Sequence, residues 1–188
     1  PLTYVTGGFA LLAEELVEAK SGTNQRDIDV SLSLIQSGTQ RLNRLAEQMV
    51  LYSQIISGYV RAQVVDLGEP VELDSLLYDA LTTYRKLAKE REIIFRQSSS
   101  SDSPLLVVGL RDLLVNAISE ILLNAIQYSP RGVEVALDIF EDAEFAALRI
   151  TDWGPGIPPE DQAGIWDVLI QSKRDENEQQ GAGMGLPI

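Results

Sequence analysis

The feature that most constrains the fold is an apolar residue at every seventh position over the first third of the chain. The repeat consists of Ile28, Ile35, Leu42, Met49 and Ile56. A seven-residue apolar repeat places one stripe of side chains along a helix, and such a stripe packs against another helix. The repeat predicts a helix over residues 27–60, which would be about 50 Å long at 1.5 Å per residue.

A shorter helix is predicted before it. Leu2, Phe9 and Leu16 are also spaced by seven, and residues 21–24 interrupt the pattern. Two helices joined by a short connection form an antiparallel hairpin, whose continuous apolar stripe a second copy would cover. We therefore expect a homodimeric four-helix bundle. The first helix, over residues 1–20, is shorter than the second, so either the second ends near Gly58 or the natural protein continues before Pro1.

The rest of the chain has a different pattern. Residues 66–70 contain Gly68 and Pro70, which stop helices, and we interpret this segment as a linker between domains 1–66 and 67–188. The predicted elements are a helix from residue 73 to 84, a β-like run at 93–95, a loop at 98–104, a strand at 105–108, a helix at 111–128 and strands at 133–140 and 145–151. This order predicts an α+β fold, with the two last strands antiparallel and helices on one face of a mixed sheet.

Charge and composition exclude several functions. The 188 residues include 28 acidic and 15 basic side chains, a net charge of −13, so nucleic acid and anionic membrane surfaces are unfavourable partners. The absence of cysteine and histidine removes thiolate and imidazole chemistry altogether. No apolar run reaches the roughly 18 residues of a membrane span, and no signal peptide is evident. We expect a cytoplasmic segment without membrane contact, although any anchor of the full-length protein would lie before Pro1.

A first polar cluster lies on the predicted helix over residues 111–128. Glu120 and Asn124 are four residues apart and therefore share a helix face, with Gln127 and Tyr128 one turn further along. A carboxylate and an amide presented together offer oxygen ligands of the kind that Mg²⁺ takes. The same residues could equally form the polar margin of a helix that is otherwise buried.

A second cluster follows a predicted strand directly. Asp152 precedes Trp153, Gly154, Pro155 and Gly156. Glycines at alternate positions let the backbone approach a flat ligand, and a carboxylate at the end of a strand can accept a hydrogen bond from an exocyclic amine. Turns are rich in these residue types in any case, so the segment alone is weak evidence for a site.

A third cluster lies near the C-terminus. Gly181, Gly183 and Gly185 occupy every second position after a polar stretch over residues 171–180. Such a segment presents backbone N–H groups with no side chains in the way, which suits a phosphate, but it also fits a flexible tail. It matches neither a P-loop nor a dinucleotide-binding fingerprint.

Together the three clusters resemble the N, G1 and G2 boxes of the ATP-binding domain shared by sensor histidine kinases and the wider gyrase, Hsp90, kinase and MutL superfamily. Their order and spacing fit, with 28 residues from Asn124 to Asp152 and 29 from Asp152 to Gly181. The Pro-Leu-Thr at residues 1–3 resembles the end of the H-box of histidine kinases, in which the phosphoacceptor histidine precedes the proline by five positions. We therefore expect that the natural chain extends beyond both ends of this sequence.

The resemblance implies ATP and Mg²⁺ as ligands and a role for each matched residue. Asn124 would bind Mg²⁺, Asp152 would accept from the adenine amine, and Tyr128 would lie against the adenine ring. Gly154 and Gly156 would shape the floor of the adenine pocket. Residues 161–180 would form a lid over the triphosphate, ending in Gly181, Gly183 and Gly185.

Glu120 and Gln127 depart from the histidine kinase pattern. Glu120 stands where asparagine is common in histidine kinases and glutamate in the hydrolytic relatives, so it would be a catalytic base or a second Mg²⁺ ligand. Gln127 replaces a basic residue that often contacts phosphate, which implies weaker ATP binding. Trp166 and Leu169 replace two phenylalanines of the lid.

The resemblance implies the catalytic core of a sensor histidine kinase, with a dimerisation hairpin over residues 1–66 and an incomplete ATP-binding domain over 67–188. Such a core transfers the γ-phosphoryl group of ATP to a histidine, here upstream of Pro1, and then to an aspartate on the receiver domain of a response regulator. The alternatives are a nucleotide-binding pseudokinase dimer, an ATPase with Glu120 as its base, and a scaffold dimer that binds no ligand.

Overall fold

The computed structural model describes residues 25–101, 103–143, 145–167 and 185–187. It divides the chain into two compact units, Pro1–Leu51 and Tyr52–Ile188. The predicted helix over residues 1–20 lies outside the described residues, as do Leu169, Gly181 and Gly183. The functional division between residues 66 and 67 stays a prediction.

Two helices come first, α1 over Gln25–Ile56 and α2 over Tyr59–Leu67. Gly58 separates them in a left-handed conformation, with φ at +77°, which an L side chain rarely adopts. Its N–H donates to the Ile55 carbonyl at 3.0 Å, and its own carbonyl accepts from the N–H of Ala62 at 3.0 Å. The long predicted helix is therefore confirmed as far as Ile56. It ends near Gly58, which is one of the two explanations offered above for the unequal lengths of the two predicted helices.

The predicted linker over residues 66–70 is wrong. Helix α2 continues through Leu67, and strand β1 over Glu69–Glu72 follows after the single residue Gly68. Gly68 ends the helix because its N–H donates to the Val64 carbonyl at 2.9 Å, and a side chain at Gly68 would collide with that carbonyl. Pro70 is tolerated in β1 because this strand pairs on one side only among the described strands.

The remaining elements form the α+β part of the chain. They are helix α3 at Leu73–Glu90, strand β2 at Ile94–Ser99, strand β3 at Leu106–Gly109, helix α4 at Arg111–Tyr128, strand β4 at Glu134–Asp142, strand β5 at Phe145–Thr151 and a 3₁₀ turn at Gly164–Trp166. Strands β1 and β3 pair antiparallel, while β4 pairs parallel with β2 and antiparallel with β5. The α+β class, the mixed sheet and the β4–β5 hairpin are thus confirmed.

Two predicted boundaries are too short. Helix α3 continues six residues past Tyr84, because Leu87 and Ala88 still pack on the core. Strand β2 continues through Ser98 and Ser99, which the serine-rich composition had assigned to a loop. These two serines pair with Asp138 and Ile139 of β4, and the Ser98 hydroxyl donates to the Asp138 carboxylate.

The core lies between one face of the three-stranded sheet and the two helices α3 and α4. Alternate residues of β4 point into it, as expected for a strand with one buried face. The largest fully buried side chains are Leu76 and Leu77 of α3, Leu122 and Ile126 of α4, and Val135, Leu137 and Ile139 of β4. Helix α4 therefore presents its apolar face to the core, which leaves its polar face for a site.

Both ends of α4 are fixed by arginine side chains. Near its first turn, Nη2 of Arg111 donates to Ser75 Oγ at 2.7 Å and to Asp79 Oδ2 at 2.6 Å, both on α3. At its last turn, Nη1 of Arg91 donates to the Gln127 carbonyl at 2.8 Å. A cation at the C-terminus of a helix also interacts favourably with its dipole. These contacts hold the helix that carries the first polar cluster in a defined position on α3.

Candidate functional site

Helix α4 presents the first cluster along one side. The Glu120 side chain is only 6% exposed, whereas Asn124 and Gln127 are half-buried and Tyr128 is exposed. The eight residue steps from Glu120 to Tyr128 span about 12 Å of helix, with Asn124 midway. A carboxylate, an amide and a phenol ring therefore lie in succession along α4.

The second cluster begins where β5 ends at Thr151. Asp152 is exposed, and its Oδ1 accepts a hydrogen bond from the Gly154 N–H at 2.7 Å. This closes an Asx turn, the local arrangement in which an aspartate side chain caps its own backbone two residues on. Within the described part of the chain Oδ2 of Asp152 receives no hydrogen bond, so one carboxylate oxygen can accept from a ligand. Trp153, beside it, is 67% exposed.

Gly154 brings this turn against the end of α4. A Cβ atom added at Gly154 would lie 2.8 Å from Asp152 Oδ1, 3.1 Å from the Tyr128 carbonyl oxygen and 3.2 Å from Tyr128 Cβ. Only glycine permits so close an approach of the two segments. Gly156 has φ at +72° and nothing within 4 Å of an added Cβ, so it borders open space. The first and second clusters are therefore adjacent at Tyr128.

The described part of the third cluster lies against the middle of α4. A Cβ atom added at Gly185 would be 2.6 Å from Glu120 Oε2 and 3.7 Å from Glu120 Cβ. Gly181 and Gly183 are outside the described residues, and their place in the site stays a prediction. One helix thus contacts Gly154 at its last turn and Gly185 two turns earlier, and Asn124 lies between these contacts.

The Tyr128 phenol, at the end of α4, has an altered titration. Partial burial raises the pKa of Tyr128 above its ordinary value, because desolvation disfavours the phenolate. The ring is therefore neutral at physiological pH and suits a contact with an uncharged heterocycle.

The residues on α4 suit a cation that takes few protein ligands. Among the described residues, no group of three or more acidic, histidine or cysteine side chains could enclose a metal ion. Glu120 and Asn124 together offer one carboxylate and one amide. Mg²⁺ is commonly held in this way, by one or two protein oxygens together with substrate phosphates and water.

Two features of this region have no signal in the sequence. Arg91 lies 36 residues before Gln127, so only the folded chain shows that it fixes the last turn of α4. Ser129, which follows that turn, buries its hydroxyl with no hydrogen-bond partner among the described residues. Neither residue belongs to a motif, and no local pattern could have identified it.

Within the described ranges, no helix combines the length and the apolar character that a bilayer crossing requires.

Comparison with known proteins identifies a domain family. Residues 109–188, which contain all three clusters, match the family described as histidine kinase-, DNA gyrase B-, and HSP90-like ATPase. Helix α4, the β4–β5 hairpin and the turn after β5 all fall within this match.

The most similar sequences and structures include sensor kinases. The adaptive-response sensory kinase SasA of Rippkaea orientalis is 32% identical over 148 residues, which cover 78% of this chain and 36% of that protein. The sensor-like histidine kinase SenX3 of Mycobacterium tuberculosis is 27% identical over 183 residues, covering 97% of this chain and 43% of that protein. The solved structure of the mycobacterial sensor histidine kinase MprB is 28% identical with a TM-score of 0.55, covering 64% of this chain and 74% of that one. The chain thus spans less than half the length of the two curated relatives.

Proposed function

We propose that the chain is the catalytic core of a sensor histidine kinase. Residues 109–188 belong to the histidine kinase-, DNA gyrase B- and HSP90-like ATPases, and the chain is related to sensor histidine kinases. In this proposal residues 67–188 bind Mg-ATP, and residues 1–66 form the dimerisation hairpin. The supporting observation is that α4 contacts both the Asp152 turn, through Gly154, and the glycine-rich segment, through Gly185.

The adenine end of the nucleotide would lie at the last turn of α4. There Asp152 Oδ2 would accept from the exocyclic amine, while Oδ1 keeps its bond to the Gly154 N–H. Tyr128 would pack against the purine ring, and the open space beside Gly156 leaves room for it. The Asx turn holds the carboxylate in place before the ligand arrives, so little ordering is required on binding.

The phosphates would lie toward Asn124. Gly181, Gly183 and Gly185 would direct backbone N–H groups at them, and Asn124 would hold Mg²⁺. When bound, the ion would neutralise charge that develops on the phosphates during transfer. Gln127 supplies no cation where a basic residue often contacts phosphate, so we expect modest affinity for the triphosphate.

The reaction needs an acceptor outside these 188 residues, because the sequence contains no histidine. By the resemblance at residues 1–3, the acceptor would be a histidine upstream of Pro1, from which an aspartate of a response regulator receives the phosphoryl group. The core itself would contribute positioning and charge neutralisation, which is most of what phosphoryl transfer requires. An activity that uses ATP and a response regulator would operate in the cytoplasm.

The dimer in this proposal forms through the helical stripe. Leu42, Met49 and Ile56 of α1 keep half or more of their surface exposed in the single chain. Large apolar side chains at a seven-residue spacing gain free energy when a second helix covers them. Sedimentation equilibrium would detect the dimer, and a Leu42→Glu, Met49→Glu double variant should be monomeric.

The decisive test is phosphoryl transfer by the natural full-length protein. We expect incubation with γ-labelled ATP and Mg²⁺ to yield an acid-labile, base-stable phosphohistidine, which receiver domains then remove. Labelling should disappear when the histidine before Pro1 is replaced by glutamine. Stable nucleotide binding without any labelled histidine would contradict the kinase proposal.

That outcome would favour a pseudokinase, the second candidate. Its supporting observation is Gln127, which leaves one cationic contact with the triphosphate missing. A Gln127→Lys variant distinguishes the two, because in a kinase it should raise ATP affinity and turnover together, whereas in a pseudokinase it should raise affinity alone.

Tyr128 provides a separate prediction. Replacing Tyr128 with alanine should weaken ADP binding about 5- to 150-fold, because a base stacked on an aromatic ring gains roughly 1–3 kcal/mol. Tyr128→Phe keeps the ring and should stay within about twofold of the natural protein by the same criterion. Titration calorimetry with ADP measures both variants. Equal affinities of the alanine and phenylalanine variants would place the adenine ring elsewhere.

A further inference from the structure

The contact between Glu120 and Gly185 is not explained by a role of Glu120 as a catalytic base or as a Mg²⁺ ligand. Glu120 is 6% exposed although it carries a carboxylate, and Gly185 lies against its side chain. Buried carboxylates are rare unless neighbouring groups satisfy them. The backbone of Gly185 is one of the neighbours against which this side chain is buried.

There is no room for a side chain at position 185 beside the Glu120 carboxylate. A Cβ atom at position 185 would approach Glu120 Oε2 to 2.6 Å and the carboxyl carbon to 3.5 Å. A surface glutamate would simply turn away from an added methyl group. Glu120 is buried, at 6% exposure, so its side chain has little room to move away.

We propose that Glu120 is a positioning residue, whose carboxylate seats the backbone of Gly185 on α4 and thereby sets where Gly185 meets the phosphates. This inference rests on the proposed nucleotide site and adds a role for Glu120 that requires neither base catalysis nor metal binding. This role also explains why position 185 is a glycine without any phosphate contact. A side chain there would occupy the space that the Glu120 carboxylate fills.

A size-exchange cycle tests this role. The proteins are the natural chain, Gly185→Ala, Glu120→Ala and the double variant, with Gly38→Ala on α1 as a matched control because nothing lies within 4 Å of its added Cβ. We expect Gly185→Ala to weaken ADP binding about tenfold, in line with overpacking at a filled site. In the Glu120→Ala background, where the volume is vacant, the same substitution should change affinity less than about twofold.

Magnesium separates positioning from metal binding. If Glu120 positions Gly185, the Glu120→Ala penalty on ADP affinity should be the same with Mg²⁺ and with EDTA. If Glu120 instead binds the ion, the penalty should vanish in EDTA, and Gly185→Ala should cost the same in both backgrounds. Either of these results would overturn the positioning role.

Melting temperatures of the four proteins without nucleotide keep the test independent of the proposed function. Gly185→Ala should lower the melting temperature, and Glu120→Ala should remove that effect. Failure of the natural chain to bind ADP would count against the nucleotide site, whereas binding combined with strictly additive effects in the cycle would count against the Glu120 contact alone.

Discussion

Asp152→Asn should weaken the binding of adenine nucleotides about 100-fold, the cost expected when a charged acceptor is replaced by a group that cannot accept. Asparagine can keep the Asx turn, because its carbonyl oxygen can still accept from the Gly154 N–H, as Oδ1 of Asp152 does at 2.7 Å. Its amide nitrogen would then replace Oδ2 and direct a donor at the donor on adenine. The loss should therefore come from the ligand contact and not from the fold, and titration calorimetry with ADP measures it.

Base preference sharpens this prediction. Guanine carries an acceptor where adenine carries its amine, so Asp152→Asn should narrow or reverse any preference for ADP over GDP. Asp142→Asn, at the exposed end of β4, makes the same change of charge away from the site and should leave affinity within about twofold. An Asp152→Asn protein that binds ADP as the natural chain does would show that this carboxylate does not recognise adenine.

Leu122→Ala should lower the free energy of unfolding by about 2–5 kcal/mol, because it leaves a cavity in the core between α3, α4 and the sheet. Leu122 is 0% exposed, whereas its neighbour Ile121 on the same helix is 46% exposed. Ile121→Ala removes a similar side chain from the solvent side and should cost about 0.5 kcal/mol or less.

Urea unfolding followed by circular dichroism measures both variants. Because the chain forms two compact units, the comparison should use the transition that the Leu122 substitution shifts. Equal destabilisation by the two substitutions would mean that α4 does not bury the face assigned to it. If the Leu122→Ala protein loses ADP binding only near its unfolding midpoint, the substitution affects the stability of the core and not the nucleotide site itself.

Local signals predicted the elements best. The bounds of α4 match the prediction at both ends, because a helical pattern of 18 residues ends at Ser129 and Pro130. Strand β1 was missed because its partner β3 lies some 40 residues further on, where no local pattern reveals the pairing. The parallel extension of β2 was missed for the same reason, since Ser98 and Ser99 become strand only beside β4. Long-range pairing overrides local propensity in both cases.

In the candidate site, too, the features with local sequence signals could be predicted and the long-range contacts could not. The Asx turn at Asp152 is a local arrangement, and the residues on α4 share a face through helical spacing alone. The contacts of Gly154 with Tyr128 and of Gly185 with Glu120 join segments far apart in the sequence, and the resemblance could only suggest that they meet. The ligand roles of all these residues stay predictions.

The exposure of Trp153 makes the adenine region observable without a label. The chain has two tryptophans, and both Trp153, beside Asp152, and Trp166 hold their indoles largely in water. With Trp166→Phe, the emission spectrum reports on the segment next to the proposed adenine contact alone. A nucleotide that shields this indole would shift its fluorescence to shorter wavelength, so stopped-flow mixing could time the arrival of the base separately from any transfer of phosphate.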